Sequence, residues 1–135
     1  MIVADASVVV DFLIGSDSEA SQEFSRLLRA GGGVAAPELL DVEVGQTVGR
    51  FNRIGDIDSA AALVVMSLLQ ELDIRRYPHR ALVARAFDFR HRVTIYDGVY
   101  LALAEGLDAP LLTGDVALSR VPGTEAQVRL VSTSG

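Results

Sequence analysis

Short apolar runs alternate with longer stretches whose apolar residues recur three and four apart, so the chain reads as strands separated by helices. Ile2-Val3-Ala4 is a strand candidate ending at Asp5, with a helix beginning near Ser7. Ser16 and Glu19 have the spacing of a capping box for a helix reaching about Ala30, which Gly31-Gly32-Gly33 stops. Val34-Ala35-Ala36 is a second strand, and Pro37 suits the first position of a helix running to about Arg53. Gly55 ends that helix. Asp58 is a good cap for the next, to about Leu72, which leads into a strand around Ile74-Arg75-Arg76. Pro78 opens a helix through about Arg90, and Thr94 opens one through Glu105 that Gly106 closes. Leu111-Leu112-Thr113 and Val128-Arg129-Leu130-Val131 supply the remaining strands.

Strands joined through helices give an α/β fold with a mainly parallel sheet and helices on both faces. Ligands of such sheets bind beyond the carboxyl ends of the strands, near the point where strand order reverses. Asp5 follows the first strand and Asp115 the fourth, so the two meet there only if those strands are neighbours.

The 135 residues fit one domain spanning 1–135, and no repeat or linker divides them. No apolar run reaches the roughly 18 residues of a membrane span, and the amino terminus lacks the basic region of a signal peptide, so a soluble cytoplasmic protein is expected. There is no cysteine, which excludes a disulfide framework and a thiolate metal site. All 12 basic side chains are arginine. The absence of lysine removes Walker-type phosphate loops and Schiff-base chemistry, and weakens the receiver and haloacid-dehalogenase-like alternatives. A formal net charge of −6 argues against a broad basic face for nucleic acid, unless the negative charge is gathered where divalent cations sit.

Four carboxylates are candidates for such a site, and each also has a plain structural explanation. Asp5 suits a helix cap, Asp97 completes a Thr94-Ile95-Tyr96-Asp97 capping box, and Asp115 after Thr113-Gly114 suits a turn. Glu43 is harder to dismiss. It borders the apolar stripe of Leu40, Val44, Thr47, Val48 and Phe51, and Arg50 stands seven residues away, a long spacing for a helical ion pair. Clustered carboxylates repel one another unless a counter-charge is present, and magnesium, or manganese in its place, prefers such oxygen ligands. Ser7 and Thr113 are placed to orient those ligands from behind. His79 and His91 lack the paired spacing of a zinc helix. Arg92, and less specifically Arg90, stand just ahead of the helix carrying Asp97 and suit RNA phosphates at the rim of the site. The segment from Asp58 to Leu72 is apolar around most of its circumference, more than one sheet face covers, so the excess is either buried against the preceding helix or left for a dimer mate or a partner helix.

At Asp5-Ala6-Ser7, at Glu43 in Pro37-Glu38-Leu39-Leu40-Asp41-Val42-Glu43, and at Tyr96-Asp97-Gly98-Val99-Tyr100-Leu101-Ala102-Leu103-Ala104 with Leu111-Leu112-Thr113-Gly114-Asp115, the chain resembles the PIN-domain nucleases. The resemblance is specifically to the VapC toxins of bacterial toxin–antitoxin pairs, and it spans nearly the whole length. It implies a three-layer α/β/α fold with central sheet order 3-2-1-4-5, which makes the first and fourth strands neighbours. It further implies RNA cleavage dependent on magnesium or manganese, homodimerisation and a cognate VapB-type antitoxin, with Asp5, Glu43, Asp97 and Asp115 as an acidic tetrad assisted by Ser7 and Thr113. Many relatives carry another acidic residue shortly after the last aspartate; Val116-Ala117-Leu118 offers none here, which argues against a strong second metal site. Two rival readings are a catalytically inactive PIN-like module that binds RNA or protein, and a phosphatase using Asp5 as nucleophile. The second lacks both the further aspartate two residues on and a lysine.

Overall fold

The computed structural model describes residues 1–134. Five strands, β1 (Ile2–Ala4), β2 (Val34–Pro37), β3 (Ile74–Tyr77), β4 (Leu111–Thr113) and β5 (Val128–Leu130), form one all-parallel sheet in the order 3-2-1-4-5. The central pair is in register at Val3 with Leu111 and Ala4 with Leu112, so β1 and β4 end side by side. This is the arrangement needed to bring the residues that follow them together.

Six helices, α1 (Ala6–Leu13), α2 (Glu19–Ala30), α3 (Leu39–Arg53), α4 (Ser59–Glu71), α5 (Val83–Phe87) and α6 (Ile95–Leu107), complete a three-layer α/β/α architecture. The cause lies in the strands: β1, β2 and β4 are buried throughout, as strands covered on both faces must be. Helix α6 lies against β1, β2 and β4 while α5 covers its other side, which is why every residue from Gly98 to Ala104 is buried. The α5–α6 crossing is close enough that a Cβ at Gly98 would stand 2.7 Å from the Ala86 carbonyl oxygen. Leu40, Val44 and Val48 are the buried stripe of α3.

Several boundaries depart from the sequence expectation. Ser18, not Ser16, caps α2 by accepting from the Ser21 amide, because the Ser16 hydroxyl is turned towards Asp11. Pro37 is the last residue of β2, paired with Tyr77, and α3 starts two residues later. Pro78–Arg90 is not one helix: a 3-10 turn over Arg80–Leu82 precedes the five-residue α5, and further turns carry the chain to Val93. Helix α6 continues through Gly106 to Leu107, and its cap Asp108 takes the left-handed conformation (φ 49°) that aspartate tolerates better than most residues. Helix α4 is capped by Asp58, and its Val65 and Leu69 are buried while Leu63, Val64 and Leu68 face outward.

Candidate active site

The carboxyl ends of β1 and β4 build the base of the site. Asp5 follows β1 with its backbone N–H on the Leu112 carbonyl (3.2 Å), and its carboxylate is 5% exposed. A buried carboxylate needs donors, and Asp5 has three. The Ser7 hydroxyl donates to Oδ1 at 2.6 Å, the Val8 amide donates to the same oxygen at 3.3 Å, and the Thr113 hydroxyl donates to Oδ2. The cap predicted for Asp5 is therefore present, and it uses only one of the two oxygens. An ionised carboxylate offers about four lone-pair positions, so Oδ2 keeps one of its own beyond the Thr113 bond.

Ser7 and Thr113 each accept as well as donate. The Gly114 amide donates to Ser7 Oγ at 3.0 Å and the Asp115 amide to Thr113 Oγ1 at 2.9 Å, which ties the loop after β4 to the start of α1. Asp115 in turn accepts from the Ala117 amide at 2.9 Å through Oδ1, opening a 3-10 turn over Val116–Arg120. Asp97 stands in the first turn of α6, where its amide donates to the capping Thr94 hydroxyl at 3.2 Å. The cap of Asp5, the turn of Asp115 and the Thr94-hydroxyl half of the Asp97 capping box are thus present, and each positions its carboxylate at the mouth of the sheet instead of competing with that placement.

Glu43 reaches the site from α3 and is half-buried. Its Oε1 is enclosed without a hydrogen-bond partner, as is the hydroxyl of Tyr100, which α6 places beside it one turn on from Asp97. Arg50 does not pair with Glu43; it lies over the Phe51 ring at 5.6 Å. Tyr100 is the site residue that sequence reasoning missed, although its spacing of three from Asp97 puts it on the same side of a helix.

The four carboxylates act on one another. Burial, then Asp115, Asp5 and Glu43 in that order, push Asp97 up to about 6 from an ordinary 3.8. Burial also raises Asp5, against the pull of Ser7, Thr113 and Val8, and Asp115 adds to the rise. Glu43 is raised by burial, against the pull of the neighbouring Tyr100 hydroxyl, with a further contribution from Asp5. Burial and then Glu43 push the Tyr100 phenol far upward. No basic side chain offsets this charge: among the described residues no ion pair involves Asp5, Glu43, Asp97 or Asp115. Among the same residues no three Asp, Glu or His side chains are grouped closely enough, as they stand, to hold one metal ion.

The chemistry of this donor set fits a hard divalent cation. It is oxygen-only, short of positive charge, and includes one enclosed carboxylate oxygen with nothing bound to it. A shallow depression leads away from Asp97, lined by Arg90, His91, Arg92, Val93, Thr94 and Ala117. Arg90 is partly committed, lying over the Phe87 ring at 4.6 Å and donating to the Phe87 carbonyl at 3.1 Å. The Arg92 side chain is exposed and makes no ion pair among the described residues.

Comparison with known proteins shows the same frame elsewhere. Residues 2–124 match the family model described as PIN domain. The chain is 41% identical over 130 residues to Ribonuclease VapC1 of Mycobacterium tuberculosis, covering 96% of both chains. It is 37% identical over 132 residues to Ribonuclease VapC12 of the same organism, covering 98% of this chain and all of the other. Among solved structures, VapBC2 from Rickettsia felis bound to a promoter DNA fragment superposes with a TM-score of 0.67 at 12% identity, covering 98% of this chain and all of that one. Mycobacterium tuberculosis VapC20, described as a sarcin-ricin loop cleaving toxin, gives 0.65 at 16% identity over 92% of this chain and 96% of that one. At those identities the structural likeness is one of fold.

Proposed function

This chain belongs to the PIN-domain family, and on that premise we propose that it is a metal-dependent endoribonuclease, the toxin of a toxin–antitoxin pair acting in the cytoplasm. One observation carries the reading: Asp5 after β1, Glu43 on α3, Asp97 on α6 and Asp115 after β4 act on one another's charge, and among the described residues none of them is in an ion pair. A fold tolerates such a cluster when a ligand supplies the missing positive charge.

Asp5, Glu43, Asp97 and Asp115 would hold magnesium, with manganese as a substitute, by drawing their side chains closer together than they stand. When bound, the ion supplies Lewis-acid activation of water and of the phosphodiester, so the protein needs no nucleophile of its own. Ser7 and Thr113 favour the ionised form of Asp5 against the effect of burial and fix its orientation by donating to both of its oxygens. The exposed Arg92 lies along the depression leading from Asp97 and suits an RNA phosphate there; Arg90, stacked on Phe87, contributes less.

Partners follow from the surface and the relatives. Leu63, Val64 and Leu68 on α4 and Val42 on α3 are exposed apolar side chains, between 42% and 75% accessible, which suits a cognate antitoxin or the second subunit of a homodimer. Two solved structures of similar fold are described as VapBC2 and as a toxin–antitoxin complex. Light scattering of the isolated chain separates the two occupants, since a monomer leaves this face to the antitoxin.

The test is cleavage of RNA by the purified chain with magnesium, with manganese or with chelator, alongside Asp5→Ala and Asp97→Ala. Cleavage that requires metal and is lost in both folded variants supports the proposal. Full activity in chelator, or in folded Asp97→Ala, overturns it and returns Asp97 to its capping role.

A further inference from the structure

Asp11 lies on α1 away from the acidic cluster, yet it is 5% exposed and makes no ion pair among the described residues. A buried carboxylate accepts only, so its stability depends on donors. All of them come from beyond α1. Ser16 Oγ donates to Oδ2 at 3.3 Å and Ser18 Oγ donates to the same oxygen. Ser134, near the carboxyl terminus, donates its amide to Oδ2 at 3.0 Å and its hydroxyl to Oδ1 at 2.6 Å. Burial works to raise the Asp11 carboxyl, but these bonds together outweigh it and hold the group below its ordinary value.

The segment that Asp11 anchors runs over the loop after β4. The Val131 amide donates to the Thr113 carbonyl at 2.9 Å, Ser132 accepts from the Ala20 amide at 3.0 Å, and the Ser132 amide donates to Glu19 at 3.2 Å. Thr133 then packs so tightly on Gly114 that a Cβ at that position would collide with its methyl group. Beneath it, the Gly114 amide donates to Ser7 and the Ser7 hydroxyl donates to Asp5. Asp11 is thereby linked to Asp5 through the carboxyl-terminal segment, Gly114 and Ser7.

We propose that Asp11 is a positioning residue: by anchoring Ser134 it presses residues 131–134 onto Gly114, keeping the Gly114 amide on Ser7 and the Ser7 hydroxyl on Asp5. Its consequence for catalysis rests on the reading of Asp5 as part of a metal-dependent active site. Asp11→Asn replaces one acceptor oxygen by a donor that faces existing donors. Ser134→Ala leaves α1 untouched and removes one anchor, so it decides the matter should Asp11→Asn fail to fold.

The experiment combines amide exchange of Gly114 by NMR with Mn2+ titration and RNA cleavage, on the full chain and on both variants. Faster Gly114 exchange, by about tenfold, with Mn2+ binding and kcat weakened about tenfold and KM for RNA unchanged, is the expected result. Gly114 exchange at the wild-type rate in folded Ser134→Ala and Asp11→Asn overturns the proposal, as does faster exchange with unaltered Mn2+ binding and kcat. Faster exchange in a chain whose wild type neither binds Mn2+ nor cuts RNA supports the anchoring and refutes the nuclease reading.

Discussion

Thr113 at the end of β4 donates its hydroxyl to Asp5 at the end of β1 and accepts the Asp115 amide, so one fully buried side chain joins two of the candidate ligands across the central strand pair. Thr113→Val keeps the shape and removes both bonds. It should cost about 1–3 kcal/mol of stability, since a buried carboxylate and a backbone amide each lose a partner, and about 10–100-fold in RNA cleavage. Thr113→Ser, which keeps the hydroxyl, should recover most of both. Denaturant melts and cleavage rates of the pair check this, and wild-type behaviour in folded Thr113→Val would show that the bond does nothing for the site.

Stability of the metal-free chain should fall between mildly acidic and neutral pH. The folded value of Asp97 is about 6 against 3.8, so the stability it contributes is complete below 3.8 and lost as pH rises through about 6. Asp5 and Glu43, also raised, act in the same direction. Glu105 opposes them: Arg85 first, then the Glu125 amide and Thr124, hold it at about 2, so its contribution is present above 4.5 and lost as pH falls towards about 2. With EDTA present, Tm should therefore be higher at about pH 5 than at about pH 7.5, and Mg2+ should restore the difference at the higher pH. Asp97→Asn should gain roughly 1–2 kcal/mol at neutral pH without metal. A metal-free Tm that instead rises towards neutrality would contradict the convergence of these carboxylates.

Arg92 is exposed, unpaired among the described residues and beside Asp97. A phosphate contact there releases about one counterion, so Arg92→Ala should weaken binding of an uncleavable RNA and reduce its salt slope by about 1. Fluorescence anisotropy across a potassium chloride series reads this directly, and an unaltered slope would remove Arg92 from the RNA-binding surface.

The sheet and its ligand end were legible because β1, β2 and β4 are short apolar runs with acidic or capping residues just beyond them. The neighbouring of β1 and β4 came from the family resemblance, since the alternation of elements does not specify strand order. The boundaries that failed did so where tertiary contacts outweighed local signals. Ser16 has the spacing of a cap but is drawn to Asp11, and Pro37 is drawn into pairing with Tyr77. Gly106 has no Cβ clash and lets α6 run one residue further to Leu107 before Asp108 turns it. Within the site, Ser7 and Thr113 both donate to Asp5, one from two residues on and the other from the end of the neighbouring strand. The hold of Ser134 on Asp11, 123 residues apart in the chain, had no local pattern to reveal it.

Whether Asp97 shares its surroundings with Asp5, Glu43 and Asp115 is read by a carbon-13 NMR titration of its side-chain carboxyl. The account predicts a midpoint of about 6 in the metal-free chain, a fall in Asp115→Asn, and a further fall on adding Mg2+. A midpoint at the ordinary 3.8, indifferent to Asp115→Asn and to Mg2+, would mean that the carboxylates do not form one site.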